Sequence, residues 1–565
     1  MKDRLPDATT QPTAPKSSER RLLLTISAFT VVIYAAYLCA LPNQITDVWW
    51  QIRLGDEIRL LHHIPTFDTY SWSAKGTPII LHEWGSCLAF AEAFAHMGGW
   101  AGVLLLEILV TSVTLFGLYR LILGRSDGAP FPALMLTLLA GYVCSTSFTP
   151  RPQIFTYMFL VSSIAILFRI RQQARSYVLL AILAGIQIFW ANMHAAAPIF
   201  VLICACYVAG DLIQAAINGG FYLNRPGTLI KSVWGPLACV IVTLASMVVN
   251  PNGIHIYSII TDTVGNKTMP SAINEWQPVN FHNLYGHQIE FYLLVIWFVI
   301  AATKRKREAG DVIALCLLSV SALYSLRNVP ILALAGAPII APYCCSAFEA
   351  VKERLFKRKS DTSTNPAALN VALVASITFC LVFTIGLIQQ IGINKSRSGN
   401  SSLEGYAESV FMTSSQPEAA CEFIESEKFP LSYRMYNGYD NGAFLIWRLR
   451  QFPVFISSET YVYFGPVFDT YIGLEGLPYN WRDRLAAYNP DFVLIGSDDR
   501  QAQLFLNAPD WALVYADGSP ADASGQPANL IFVKKSVASQ KLIDRCRRDC
   551  SELKTNIYQG YASAQ

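Results

Sequence analysis

Eleven stretches of this 565-residue chain are apolar over lengths suited to a bilayer. They lie near 22–41, 100–123, 131–148, 153–169, 177–195, 196–217, 232–249, 289–303, 311–326, 329–348 and 367–391. In hydrocarbon the backbone must satisfy its own polar groups, so an apolar run of about 20 residues becomes a helix. A composition of 53% hydrophobic and 15% charged residues is too apolar for a soluble protein of this length. The expectation is a polytopic α-helical membrane protein with about 11 transmembrane helices over 21–395. The stretch 177–217 also reads as one bent element. A net charge of +3 gives no basis for nucleic-acid binding.

The basic residues sort by loop. Arg120 to Ser126, Arg169 to Arg175, Asn218 to Lys231, Lys304 to Arg307 and Val351 to Ser360 carry the excess, including RIRQQAR, KRKR and VKERLFKRKS. Cytoplasmic loops hold such excesses, which puts the N-terminus inside and, with an odd helix count, the C-terminus outside. Residues 1–20 are polar and Pro/Ser/Thr-rich and read as a disordered cytoplasmic tail on an uncleaved first helix. From about Gly399 the chain turns polar, with short apolar runs AFLIWRL, FPVFISS and DFVLIG and a helical stretch at Pro417–Phe429. This reads as a small C-terminal extracytoplasmic α/β domain over 399–540, followed by a basic helix and tail over 541–565. Most of the 13 cysteines lie in apolar runs, where cysteine is a small hydrophobe. Cys546 and Cys550 can form a local disulfide in an oxidising compartment, and no zinc ligand set accompanies them.

The first outer loop, 42–99, concentrates the candidate chemistry. Between Ile45 and Trp84 it holds Asp47, Asp56, Glu57, Asp68, Glu83 and four tryptophans, more than a plain connector needs. WWQIRLGDEIRLL reads as an amphipathic helix on the membrane surface, with Trp50, Leu54, Ile58 and Leu61 on one face. Asp47 at its start is a general-base candidate with a pKa raised by partial desolvation, or simply the helix N-cap. His82, Glu83 and Trp84 open a second amphipathic run. HExxH is absent because position 86 is Ser, and adjacent His and Glu do not share a helical face, so a metal there would also need Asp47. The same side receives Arg151, Asn192, His194, Asn250, Glu275, Arg327 and Asn328, and all eight histidines. Long outer loops explain histidines in general. They explain less well charged residues at helix ends joined by short turns, and one polar outer cavity accounts for those. Arg151 and Arg327 suit a bidentate grip on phosphate, or equally structural pairs with Asp47, Glu83 or Glu275.

The ordered strings D-x-W-W-x-x-x-x-G-x-x-I, IPTFDTYSW, HEW, RPQIF, WANMH, NPNGIHIY, INEWQP and RNVPILAL resemble the bacterial branch of the GT-C superfamily of integral-membrane glycosyltransferases over about 20–350. That branch is of the protein mannosyltransferase-like and aminoarabinose transferase-like kind. YNGYDNGAFLIWRL and FPVFISSETYVY are similar to the extracytoplasmic domain often appended there. The resemblance implies a GT-C-like fold and a polyprenyl-phosphate sugar donor, used at the outer side of a bacterial inner membrane. It implies an envelope glycan, lipid or protein acceptor, inversion at the sugar, and Asp47 as catalytic base. It further implies Arg151, Arg327 and His194 on the donor phosphate, and Asp68, His82, Glu83, Asn192, Glu275 and Asn328 on the acceptor side or in support. A divalent metal ion is used by some members. Where the appended domain usually ends its motif in Asp and Arg, this chain reads PVFISSET, so no ligand role is carried over to that point.

Two other classes share these features. A flippase or exporter for a lipid-linked glycan would use the same cavity, but should show polar mid-membrane positions or inverted repeats. A non-catalytic scaffold of an envelope-synthesis complex would use the outer domain to recruit partners. The charge-sorted topology has its own test. A cysteine placed in the KRKR loop should resist a membrane-impermeant thiol reagent applied outside the cell, and labelling there would overturn the one-sided cavity.

Overall fold

The computed structural model describes residues 17–41, 47–173, 176–217, 226–265, 273–356, 366–398, 402–411, 416–517, 529–536 and 539–547. Helix α1 (Ser17–Cys39) begins within the stretch expected to be an N-terminal tail and leads to two short helices, α2 (Val48–Leu61) and α3 (Trp84–His96). The bundle continues through α4 (Trp100–Arg125), α5 (Pro130–Val143), α6 (Gln153–Gln172), α7 (Tyr177–Met193), α8 (Pro198–Ile217) and α9 (Pro226–Met247). After α10 (Ile256–Gly265) come α11 (Leu284–Ala302), α12 (Ala309–Tyr324), α13 (Val329–Phe356) and α14 (Pro366–Ser398). Each of the eleven apolar runs is a helix, and 177–217 is two helices broken at His194 to Ala197. Seven helices, α1, α4, α6, α8, α11, α13 and α14, are long and apolar enough to cross a membrane. The apolar helices α5, α7, α12 and the Val233–Met247 part of α9 are shorter. The chain is a multi-pass membrane protein.

Helix α13 is the central post. The span Leu326–Val351 is 72% buried, whereas Leu369–Ile393 in α14 is only 11% buried. Small residues let neighbouring backbones approach α13 closely: Ala333, Ala335, Ala337 and Ala341 are all fully buried. Helix α14 rests on α1 at the edge. At one end of the bundle the helix termini are tied by ions. Arg171 holds Asp211 at 2.6 Å and Glu308 at 3.1 Å. Asp311 accepts the hydroxyls of Tyr207 at 2.6 Å and Tyr343 at 2.7 Å. Lys304 pairs with Glu353, and Arg305 with Asp127 at 3.5 Å. The loops read as cytoplasmic thus share one end. Asp47, Arg151, His194, Asn250 and Arg327 occupy the opposite helix ends.

The amphipathic helix of the first outer loop departs from its expected place. Trp50, Leu54 and Ile58 are buried by protein and Leu61 is 52% exposed, so the apolar face of α2 lies on α3 and the outer domain, not on a membrane surface. An apolar stripe is satisfied by any apolar partner, and α3 supplies one at close range. Gly55 makes that contact possible, since a Cβ there would stand 2.1 Å from the Cys87 carbonyl oxygen. Trp49 is also interior, with ring centroids 4.5 Å from Trp100, 5.0 Å from Phe444 and 5.0 Å from Trp447. This aromatic cluster joins α2 and α4 to the C-terminal region.

That region comprises α15 (Leu403–Phe411), α16 (Glu418–Ser426), β1 (Met435–Asn437), α17 (Tyr439–Arg448), α18 (Pro466–Glu475) and α19 (Trp481–Ala486). It continues with β2 (Phe492–Gly496), α20 (Ala502–Leu506), β3 (Trp511–Ala516), β4 (Asn529–Lys534) and α21 (Gln540–Cys546). The sheet order is β1-β2-β4-β3, with β1 parallel to β2 and the other pairs antiparallel. Of the apolar runs, DFVLIG supplies β2, AFLIWRL lies in α17 and its end, and FPVFISS is extended without joining the sheet. Asn437 holds that extension by accepting the Phe455 N–H at 2.8 Å and donating to the Ile456 carbonyl at 2.8 Å. Across it, Ser71 bridges to Val454 and the Trp72 indole donates to the Met435 carbonyl at 2.8 Å. Cys546 is a free thiol, and Cys550 lies outside the described residues.

Glu404, at the start of α15, caps a helix that is not its own. Its two carboxylate oxygens accept the Trp100 N–H at 2.9 Å and the Ala101 N–H at 2.7 Å, at the positive end of α4. Glu404→Ala should cost about 1–2 kcal/mol by the usual worth of a charged cap. The expected readout is a lower melting temperature in detergent, with Glu404→Gln intermediate.

Candidate functional site

Asp47 stands at the N-cap position of α2, yet its side chain makes no capping bond. The carboxylate instead meets the Arg151 Nη2 at 2.6 Å, and the Arg151 Nη1 bonds Glu275. Arg151 lies in the turn between α5 and α6, where Pro152 sets the entry to α6. Glu275 lies in the 3-10 turn Asn274–Trp276, which is fixed because the Ser325 hydroxyl donates to the Glu275 carbonyl at 3.0 Å and the Leu326 N–H donates to the Gln277 carbonyl at 3.0 Å. Three loops thus meet at one guanidinium. Burial opposes the charge of Arg151, but Asp47 and Glu275 together hold it more firmly protonated than usual. Burial alone would raise Glu275, but Arg151 and Arg327 outweigh it and keep that carboxyl below its ordinary range.

Arg327 comes from the turn before α13 and lies 5.3 Å from the Trp276 ring centroid. It makes no hydrogen bond or ion pair among the described residues, so its cation is available to a ligand. Beside it are His82 and His194, with ring centroids 6.2 Å apart, and Glu83 Oε2 is 3.9 Å from His82 Nε2. His194 Nδ1 is 2.8 Å from the Thr156 hydroxyl, which in turn accepts the Trp190 indole N–H at 2.9 Å. Asn192 is a cross-tie, accepting from the Trp84 indole at 2.9 Å and donating to the Val249 carbonyl at 2.8 Å. The amide of Asn328 donates to the Ser321 carbonyl at 3.3 Å. Asp68 is buried and accepts the Ser71 hydroxyl at 2.5 Å and the Ser71 and Tyr70 N–H groups at 3.2 Å, which shapes the loop facing the outer domain.

Asp47, Arg151 and Glu275 thus meet directly, with Glu83, His82, His194 and Arg327 near them, while Asp68, Asn192 and Asn328 are engaged with the surrounding loops. The wall from the outer domain was not foreseen. Tyr461 packs its ring 5.6 Å from His82 and donates to Glu459 at 2.7 Å, while Tyr439 and Thr460 share a hydroxyl contact nearby. Glu459 belongs to PVFISSET, the string that departs from the expected motif. The acid near the end of this string, three residues after the apolar PVFI, was the available signal. Burial pushes Glu83 up to about 8, with the Asp47 carboxylate adding to the shift against Arg327 and Arg151. Burial pushes Glu459 to about 8 as well, helped by Asp68 and Glu83 against the Tyr461 hydrogen bond. His82 is lowered to about 4 by burial and, more weakly, by Arg327. At neutral pH Glu83 and Glu459 carry protons and His82 is neutral.

Among the described residues no group of three or more His, Cys, Asp or Glu side chains converges as a metal cradle. The set His82, Glu83 and Asp47 does not fit a bound divalent ion, because the Asp47 carboxylate is turned to the Arg151 guanidinium at 2.6 Å.

No protein-family profile and no curated sequence matches the chain. Solved structures do. The Archaeoglobus fulgidus oligosaccharyltransferase, tethered with an acceptor peptide containing the NVT sequon, matches with a TM-score of 0.51 at 12% identity, over 92% of this chain and 74% of that one. ArnT from Cupriavidus metallidurans bound to undecaprenyl phosphate gives a TM-score of 0.46 at 10% identity, over 91% of this chain and 98% of that one. The chain has the fold of the GT-C integral-membrane glycosyltransferases.

The buried acids set a pH dependence. The unfolded chain releases the Glu83 and Glu459 protons near the ordinary 4.5, and the folded protein near 8. Between those values the folded state binds more protons, so stability falls as pH rises. The melting temperature in detergent should decline across that window, and either Glu83→Gln or Glu459→Gln should flatten the slope.

Proposed function

We propose that this protein is a membrane glycosyltransferase. It moves a sugar from a polyprenyl-phosphate carrier to an envelope glycan, lipid or protein acceptor, at the outer face of a bacterial inner membrane. The observation that carries the reading is a carboxylate, Asp47, anchored by Arg151, with the Arg327 cation acting on the same neighbour, Glu83, beside the wall that Tyr461 supplies. The GT-C fold supports it at the level of fold alone.

In this reading Asp47 accepts the proton of the acceptor nucleophile as that atom bonds to the anomeric carbon. The bond from the anomeric carbon to the carrier phosphate oxygen breaks, and its electron pair leaves with the phosphate. Attack opposite the leaving group inverts the centre. Arg327 and Arg151 offset the charge that grows on the phosphate, with His194 beside them. Arg151 also fixes the direction of the Asp47 carboxylate. Protonated Glu83 and neutral His82 add no charge, which leaves Arg327 as the cation open to the donor phosphate, while Asp68, Asn192, Glu275 and Asn328 hold the surrounding loops in place.

Purified protein incubated with a panel of polyprenyl-phosphate sugars should turn over at least one donor. Asp47→Asn should reduce transfer by about 10²–10⁴-fold, the usual worth of a positioned base, while the Asn amide oxygen still accepts from Arg151 and the protein folds with lower stability. Arg327→Ala should weaken donor binding as well as turnover. Undiminished transfer by Asp47→Asn would remove Asp47 from the base role, and no donor binding across the panel would favour a scaffold.

A further inference from the structure

A second cavity, of about 410 Å³, lies away from the Asp47 site, between the C-terminal half of α2 and the corner that follows α17. Its lining joins Arg53, Glu57, Leu60 and Leu61 of α2 with Tyr70 and Arg450. Arg53 and Glu57 are four residues apart on one helix, a spacing that ordinarily yields an ion pair. Here Glu57 accepts the Tyr70 hydroxyl at 2.6 Å instead. Arg53 makes no hydrogen bond or ion pair among the described residues. Arg450 stands opposite, half exposed; its Nε donates to the Trp447 carbonyl at 3.3 Å, and its Nη2 comes to 3.8 Å from Asp56, which Arg59 already engages at 2.9 Å. Two guanidinium groups thus face the cavity against one carboxylate that is occupied elsewhere.

The rim is apolar. Leu60 and Leu61 are 65% and 52% exposed, side by side at the end of α2. The 14 residues of α2 span roughly 21 Å at 1.5 Å per residue, and the helix starts shortly after α1 leaves the bilayer. Helix α3, packed on α2, runs by a short turn into the spanning helix α4. The cavity is thus built on the segment that joins two spanning helices, α1 and α4. Two guanidiniums beside exposed leucines on such a segment match an anionic headgroup with its chains attached.

We propose that this cavity seats the phosphodiester headgroup of an anionic glycerophospholipid from the outer leaflet. Arg53 and Arg450 grip its phosphate oxygens, and Leu60 and Leu61 meet the start of its acyl chains. The site is separate from sugar transfer, and its test does not use activity. Full-length protein in phosphatidylcholine nanodiscs containing a minority of phosphatidylglycerol is released for native mass spectrometry, and retained lipids are counted. Phosphatidylglycerol should be retained selectively. The double variant Arg53→Gln/Arg450→Gln should lower its retention about tenfold while phosphatidylcholine counts stay unchanged. Undiminished phosphatidylglycerol retention in the variant, or loss of both lipids together, overturns the proposal. Displacement of phosphatidylglycerol by inorganic phosphate at matched concentration overturns the lipid assignment in favour of a soluble phosphate ligand.

Discussion

The guanidinium of Arg151 is the point on which the outer end of the molecule depends. Taking a charge out of water costs several kcal/mol unless opposite charges repay it. Arg151 is only 22% exposed, and Asp47, 11% exposed at its side chain, supplies the more buried compensation. Glu275 is more open at 39% and contributes less for its distance from the interior. Loss of Asp47 would leave a largely buried cation short of its main partner. The pair therefore fixes where α2 begins and how the turns before α6 and α11 approach each other.

A second constraint holds the outer domain to this arrangement. Trp49 and Trp100 from the membrane part form one apolar core with Phe444 and Trp447 of α17. Buried aromatic surface of this size is a large share of any interface energy. The domain is thereby set over the cavity, and Glu459 and Tyr461 come to face His82 and Glu83. The raised carboxyls of Glu83 and Glu459 follow from that closure, because each lies against protein where an isolated loop would lie against water.

Much of the bundle was legible in the chain. Hydrophobic runs must become helices in a bilayer, and loop charge separates the two ends, so the eleven apolar helices and the clustering of Asp47, Arg151, His194 and Arg327 at one end followed from local composition, whereas α10 did not. The role of the Asp47 side chain was legible only as alternatives. An Asp at a helix start reads as a cap, as a base or as a partner for an arginine, and the fold turns the carboxylate to Arg151. Trp50, Leu54 and Ile58 carried a correct helical stripe but a wrong neighbour, since periodicity records that a face is apolar and does not name what covers it. Glu459 was passed over because its string was judged by a missing motif.

The sequence by itself determined the helical bundle and the end of the molecule where these charged residues collect. These depend on the transfer of side chains and backbone into hydrocarbon, a cost each segment meets on its own. Tertiary structure decided which carboxylate meets which arginine, that α2 packs under the outer domain, and that Glu459 reaches the cavity. Those outcomes depend on contacts between segments distant in the chain, such as the 124 residues between Arg151 and Glu275, which no local pattern encodes.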